Sequence, residues 1–172
     1  MNSKNLLVTG PPHCGKSTLI ERVVSRIDVP SIGFFTSEIR EKGRRVGFKI
    51  VTLDGREGVL AHEKIKGKSR VGKYGVNLDD LDNIAVPSMI PSGPEQIVVI
   101  DEIGKMECLS LLFRQTLLQT LDSPNRVIGS IALKGGPFIQ QIKARRDVKL
   151  IHVTEENRDG LAKSLLEELL QN

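Results

Sequence analysis

The segment Gly10-Pro11-Pro12-His13-Cys14-Gly15-Lys16-Ser17 constrains this chain more than any other. Its pattern, G-x-x-x-x-G-K-[ST], recurs by chance in fewer than ~1% of chains this long. The apolar run Leu6-Leu7-Val8-Thr9 before it reads as a short buried strand. After it, Leu19, Ile20, Val23, Val24 and Ile27 recur at helical spacing, and the pattern stops before Pro30. A strand, a glycine loop and a helix in this order aim loop N–H groups and a helix N-terminus at one point, where partial positive charge favours phosphate. Glycines at 10 and 15 let the backbone approach closely. Lys16 is expected to reach the β- and γ-phosphate oxygens of a nucleoside triphosphate, and the Ser17 hydroxyl to ligate Mg²⁺. Pro11, Pro12, His13, Cys14 and Thr18 complete the expected nucleotide-binding segment. His13 falls where such loops bend through positive φ, and histidine is among the few non-glycine residues enriched there. Cys14 is expected to pack rather than react.

Ile97-Val98-Val99-Ile100-Asp101-Glu102 is an apolar run ending in two carboxylates, the Walker-B pattern that complements a Walker-A loop. A buried strand delivers Asp101 at its C-terminal end, where an open parallel sheet binds ligands, so Asp101 is expected to hold Mg²⁺ directly or through water. Glu102 is expected to orient and polarise the attacking water. Phosphoryl transfer is loose and largely dissociative, so positioning is its main contribution. The competing explanation is a structural carboxylate bonded to backbone. Charge developing on the transferred group calls for a further cation. Arg40, Arg44 and Arg145 are candidates; the first two also read as solvated hairpin charges, and Arg145 as a cation at a helix carbonyl end. Asn157 and Arg158 are candidates for contact with base or ribose, with Thr154 or Asn157 as a helix N-cap the competing explanation. His62 and His152 read as structural.

The 172 residues fit one domain. Strand-like and helix-like segments alternate without internal repeats, as in an α/β layer fold. Residues 32–39 and 46–53 read as a hairpin joined by the glycine-containing linker 40–45, and Asp54-Gly55 turns into Val59-Leu60-Ala61, giving an antiparallel excursion. Residues 62–74, with Lys64, Lys66, Lys68, Arg70 and Lys73, read as a basic loop. A helix is expected over 78–86, with Pro87, Pro91 and Pro94 breaking the chain. Strands are then expected over 96–100, 127–133 and 149–153, and helices around Leu109–Leu121, over 138–146 and over 160–170.

The net charge of +4 suits a polyanionic partner. One Tyr, five Phe and no Trp leave little for stacking single-stranded bases, which disfavours nucleic acid. Two cysteines are too few for a disulfide scaffold and are not clustered as in a zinc site. The N-terminal apolar run is too short for a signal-peptide core, and no stretch approaches the ~18 apolar residues of a membrane span. A cytoplasmic, monomeric protein is expected.

Together with residues 10–17, the segments Gly33-Phe34-Phe35-Thr36-Ser37-Glu38-Ile39-Arg40, Arg45-Val46-Gly47-Phe48, Arg70-Val71-Gly72-Lys73-Tyr74, Asp101-Glu102-Ile103-Gly104-Lys105-Met106-Glu107 and Thr154-Glu155-Glu156-Asn157-Arg158-Asp159 resemble the thermophile-type nucleoside-triphosphatase family over nearly the whole chain. The loop and the acidic pair are generic; the hairpin, the Asp-Glu-Ile-Gly-Lys-Met-Glu run and the Asn-Arg-Asp run are specific. The resemblance implies a three-layer α/β P-loop fold, RecA-like or kinase-like, with a mostly parallel sheet covered by helices on both faces. It also implies slow, Mg²⁺-dependent hydrolysis of several nucleoside triphosphates, ATP and GTP included. Family members usually carry glycine in place of His13 and often threonine in place of Ser17; the first difference bears on loop flexibility and turnover rather than on binding. A small-molecule kinase uses the same cradle and needs an acceptor pocket, which the hairpin and basic loop are placed to form. A switch GTPase would need Asn-Lys-x-Asp, which is absent from the sequence. A nucleic-acid-stimulated enzyme would use the Lys64–Lys73 cluster, although such runs are mostly solvated.

Overall fold

The computed structural model describes residues 3–171. In chain order its elements are β1 (Asn5–Thr9), α1 (Lys16–Val24), β2 (Ser31–Glu41), β3 (Arg44–Thr52), β4 (Glu57–His62), β5 (Arg70–Val71), β6 (Tyr74–Val76), α2 (78–88), β7 (Ile97–Ile103), α3 (Leu111–Asp122), β8 (Arg126–Ile131), α4 (Pro137–Lys143), β9 (Val148–His152) and α5 (Arg158–Leu170). Continuous apolar runs without polar alternation make β1, β7 and β8, which are buried at nearly every position, as parallel strands covered on both faces must be. The strands form one nine-stranded sheet in the order β5-β6-β4-β3-β2-β7-β8-β1-β9. From β2 to β9 all neighbours are parallel. Strand β8 thus separates the strand that feeds the glycine loop from the strand that carries Asp101.

The period-two alternation of the strands divides the core. Leu6, Val8, Val99 and Ile128 face α1 and α5, meeting Leu19, Ile20, Val23, Leu165 and Leu169. Leu7, Val98, Ile100 and Val127 face the other way, against Phe113, Leu117 and Leu121 of α3 and Ile139 and Ile142 of α4. Helices on both faces give the three layers expected from the sequence. No helix among the described residues is long and apolar enough to cross a membrane.

The antiparallel excursion is longer and tighter than its sequence suggests. Residues 40–45 are not a loop: Arg40 pairs with Arg45 and Glu41 with Arg44. Only Lys42 and Gly43 turn the chain, with φ of 50° and 78°, the positive angles a two-residue hairpin turn requires. The basic segment 62–74 also contains strand, because Arg70–Val71 folds back on β6 through Gly72 at φ 58°; two-residue strands leave no periodic trace in a sequence. Helix α2 runs through Pro87, which lies in its final turn, Val86–Ser88. A π-helical turn, Leu81–Ala85, precedes that final turn. The strand expected over 96–100 continues to Ile103, so Asp101 and Glu102 lie inside β7; the Asp101–Glu102 peptide is cis and the β7–β8 ladder is irregular between Ile100 and Ile103.

Candidate active site

The glycine loop leaves β1 and wraps the start of α1. A Cβ at Gly10 would lie 2.4 Å from the carbonyl oxygen of Val153, so only glycine fits there. Gly15 caps α1 at φ 99°, and His13 takes φ 62°, the left-handed geometry expected of it. Cys14 is buried with its Sγ against Gly10, a packing role as expected. The Lys16 ammonium donates to the carbonyls of Gly10 at 3.0 Å and Pro11 at 2.9 Å, which hold it across the loop. Gly10, Pro12, His13, Gly15, Lys16, Ser17 and Thr18 line one wall of a cleft of about 1010 Å³.

Asp101 approaches the loop from β7. Its Oδ1 accepts the hydroxyl hydrogen of Ser130, on the intervening strand β8, while Oδ2 is buried without a hydrogen-bond partner. Burial pushes its carboxyl above the usual range, against the opposing pull of the Ser130 and Ser17 hydroxyls and the Lys16 ammonium. An orphaned, buried carboxylate oxygen facing a serine hydroxyl suits a hard divalent cation, which takes oxygen ligands. Among the described residues no cluster of three or more His, Cys, Asp or Glu could hold a metal alone. Ser17 and Asp101 would therefore share such an ion with phosphate and water.

Glu102 lines the cleft beside Lys16 and Ser17. Burial and then the adjacent Asp101 raise its carboxyl, with Lys16 opposing. A second acid, not anticipated from the sequence, stands behind it. Glu107 is buried, and a Cβ at Gly104 would lie 2.7 Å from Glu102 Oε1 and 2.8 Å from Glu107 Oε2. The two carboxyls meet over Gly104, which explains a glycine at that position.

Burial, and then the Glu102 charge, push Glu107 well above the usual range, against backbone hydrogen bonds at Glu107 and Gly104 that favour its ionised form. A folded-state value above the unfolded one means that the native protein binds this proton more tightly. The resulting stability is present in acid and is lost as pH rises through the folded-state value. Glu107→Gln, which stays neutral, is therefore expected to hold its Tm as pH rises above the ordinary carboxylate range, where the wild type declines, by roughly 2–4 °C per kcal/mol. Parallel melting curves from pH 4 to 9 check this; parallel decline of the two proteins would contradict it.

The arginines divide unexpectedly. Arg40 pairs with Glu38 and donates to the carbonyl of Gly43 at 3.0 Å, while Arg44 forms a fork with Glu63. Neither lines the cleft. Arg45 does: it binds Glu38 at 3.0 Å and the Tyr74 hydroxyl at 3.0 Å, with its guanidinium 5.2 Å from the Phe48 ring centre. The sequence signal for it was present in the Arg45-Val46-Gly47-Phe48 segment. Lys134, just after β8, also lines the cleft.

Arg145 lies at the wrong end of the sheet. Strand β9 pairs with β1 from Asn5↔Val148 to Thr9↔His152, so a residue just before Val148 sits opposite the glycine loop. There Arg145 binds Asp147 and Asp122. Arg145→Ala is expected to leave turnover unchanged while lowering Tm by roughly 2–4 °C, for a loss of about 1 kcal/mol; a fall in kcat without a fall in Tm would contradict this placement.

Of the pair at the start of α5, Arg158 reaches the cleft, with Nη1 3.5 Å from the Cys14 carbonyl. Asn157 does not line it. Its Oδ1 accepts from Thr154 N at 2.8 Å and its Nδ2 donates to His152 O at 2.9 Å, which ties the side chain into its own turn. His62 likewise serves its own turn, Nδ1 accepting from Lys64 N at 3.1 Å. In the basic segment, Lys64 pairs with Glu41, Lys73 with Glu63, and Arg70 binds the carbonyls of Ile65 and Lys73.

The expected mostly parallel sheet is in fact mixed, four strand pairings parallel and four antiparallel, because the excursion adds β3 to β6 at one edge. A phosphate cradle between strand and helix, faced by a buried aspartate at the same end of its parallel strands, is the construction of the P-loop class of nucleotide-binding folds, and this chain has that fold. A family model described as NTPase matches residues 5–166. Nucleoside-triphosphatase THEP1 of Thermotoga sp. (strain RQ2) is 45% identical over 168 residues, spanning 97% of this chain and 96% of that protein. The crystal structure of THEP1 from the hyperthermophile Aquifex aeolicus has a TM-score of 0.88 at 32% identity, with 97% of this chain and 99% of that one covered. The solution structure of a human cancer-related nucleoside triphosphatase has a TM-score of 0.82 at 39% identity, with 96% and 97% covered. The chain belongs to the THEP1-type nucleoside-triphosphatase family.

Proposed function

We propose that the protein hydrolyses the γ-phosphate of ATP, GTP and other nucleoside triphosphates, bound with Mg²⁺ over residues 10–18, slowly and with little preference for the base. The observation that carries this reading is the unpartnered Oδ2 of Asp101, buried at the end of a phosphate cradle beside Ser17. Ser17 and Asp101 would hold Mg²⁺, which when bound would neutralise charge on the phosphate oxygens. Lys16 swings from its loop carbonyls to those oxygens. Glu102 orients a water in line with the γ-phosphorus, and Arg45 and Lys134 supply positive charge on the far side. Arg158 offers a planar guanidinium on which any base can stack, while Asn157 does not line the cleft. This supports broad base specificity.

Partners within the fold engage Lys64, Arg70 and Lys73 of the basic segment, which supports nucleoside triphosphates rather than nucleic acid as partner. The free, buried thiols of Cys14 and Cys108 support work in a reducing cytoplasm. Arg45→Ala is expected to lower kcat ~10²-fold with little change in KM, as for loss of a charge-stabilising donor; unchanged kcat would return Arg45 to a purely structural role. The function itself is tested by orthophosphate release from ATP, GTP, CTP and UTP with Mg²⁺ and with a chelator. Release from all four only with metal is expected, and release from none, or from one base alone, would contradict the proposal.

A further inference from the structure

The segment Arg70-Val71-Gly72-Lys73-Tyr74 lies outside the phosphate cradle, and hydrolysis at Lys16, Ser17 and Glu102 gives it no task. Its conformation is nevertheless closely determined. Gly72 turns β5 back on β6 at φ 58°. The Arg70 guanidinium spans that turn, donating to the carbonyls of Lys73 at 2.6 Å and Ile65 at 2.9 Å. A Cβ at Gly75 would collide with the same Ile65 carbonyl, so the chain closes on β6 only over a glycine. Strand β6 is in turn paired with β4, Ala61 with Val76 and His62 with Gly75. Together these constraints fix the place of one side chain, Tyr74.

Tyr74 is the only tyrosine in the sequence, and it is buried edge to face against Phe48 of β3, with ring centres 5.3 Å apart. A buried phenol needs a hydrogen-bond partner. Its hydroxyl oxygen accepts from Arg45 Nε at 3.0 Å, and Glu38 Oε1 accepts from Arg45 Nη1 at 3.0 Å. The guanidinium carbon also lies 5.2 Å from the Phe48 ring centre and 5.8 Å from that of Tyr74. These bonds use Nε and Nη1 and leave Nη2 for an anion in the cleft, which Arg45 lines with Lys16, Ser17 and Glu102.

We propose that Tyr74, with Glu38, is a positioning residue that holds Arg45 in the cleft, so that the antiparallel excursion supplies in cis the arginine that some phosphoryl-transfer enzymes take from a partner protein. The proposal rests on the hydrolytic reading above, in which Arg45 meets charge developing on the γ-phosphate. An untethered arginine at a solvent-filled cleft spreads over many rotamers and must be ordered at each turnover. One held by a phenol, a carboxylate and the Phe48 ring stands in place beforehand, and donors fixed in advance are the ones that lower a barrier. The two anchors differ in kind. Glu38 is shared with Arg40, from which it accepts at 2.8 Å, and its negative charge offsets that of Arg45. The Tyr74 hydroxyl orients the guanidinium without neutralising it.

Orthophosphate release from ATP with Mg²⁺ is measured for the wild type, Tyr74→Phe, Arg45→Ala and the double variant, with a melting curve on each. Tyr74→Phe keeps the ring and removes only the hydroxyl. It is expected to lower kcat about 5–10-fold while KM stays within about twofold of wild type. With alanine at position 45, the same change is expected to lower kcat by less than about twofold, because the group it acts through is gone. Equal loss in both backgrounds makes Tyr74 a residue of the fold alone and overturns the proposal, as does an unchanged kcat in Tyr74→Phe. A wild type that releases no orthophosphate is failure of the hydrolytic reading itself. Release that Arg45→Ala leaves unchanged overturns the proposal while hydrolysis stands. Glu38→Gln, which loosens the other anchor, takes the place of Tyr74→Phe in the same cycle if that variant does not fold.

Discussion

Alanine at position 16 is expected to lower kcat/KM for ATP hydrolysis by about 10³-fold, with the fold intact. The Lys16 ammonium is restrained by two loop carbonyls, of Gly10 and Pro11, and lies close enough to Asp101 to affect its ionisation. On the proposed placement of the triphosphate it is the cation nearest the β- and γ-phosphate oxygens. Removing it takes away transition-state stabilisation and part of the binding of the triphosphate, so both kcat and KM should suffer. Its side chain packs no core, and Tm should move little. Steady-state orthophosphate release with a melting curve on the same sample separates the possibilities. Activity within tenfold of wild type would mean that the loop does not carry the reaction.

Glu102→Gln should divide binding from chemistry. The amide keeps the shape of the carboxyl but cannot polarise water as a carboxylate does, so kcat is expected to fall ~10²–10³-fold. Binding of Mg²⁺–ATP should be preserved or improved, because the variant removes a negative charge that burdens Asp101. The pH dependence adds a signature. Asp101 and Glu102 both have raised carboxyls, chiefly through burial, so the wild-type rate should begin to fall with acidification above the ordinary carboxylate range. Stopped-flow measurement of a single turnover from pH 5 to 8 reads both effects. If turnover survives and only Tm changes, Glu102 is the structural carboxylate that its sequence context also permits.

Residues whose roles follow from local chemistry were legible in the sequence. The glycine loop needs only its own spacing and its flanking strand and helix, and His13 could be placed in the left-handed region because its side chain is one of the few that tolerate it. The strand carrying Asp101 announced itself by its apolar run, although the sequence could not tell that it would continue to Ile103, that β8 would come between it and β1, or that Ser130 would hold one carboxylate oxygen.

Residues whose roles depend on where distant segments meet were not legible. Among Arg40, Arg44 and Arg45, the one that faces the cleft is set by irregularities in the ladders at Ile39/Arg40 and Phe48/Lys49, each of which resets the alternation. Glu107 is invisible as a functional residue because its burial depends on the turn at Gly104. Arg145 is different, since connection parity alone places a residue just before a parallel strand at the end of the sheet away from the ligand. Asn157 offered two roles and takes neither, because its side chain bonds Thr154 N and His152 O rather than a cleft wall or the first turn of α5.

The most direct test of the account is a crystal structure with Mg²⁺ and a non-hydrolysable ATP analogue. The β-phosphate is expected within hydrogen-bond reach of the loop amides, and the metal between the Ser17 hydroxyl and the Asp101 carboxylate, with Glu102 facing the γ-phosphate. An analogue seated elsewhere at saturating concentration, or a metal that leaves Asp101 untouched, would contradict it.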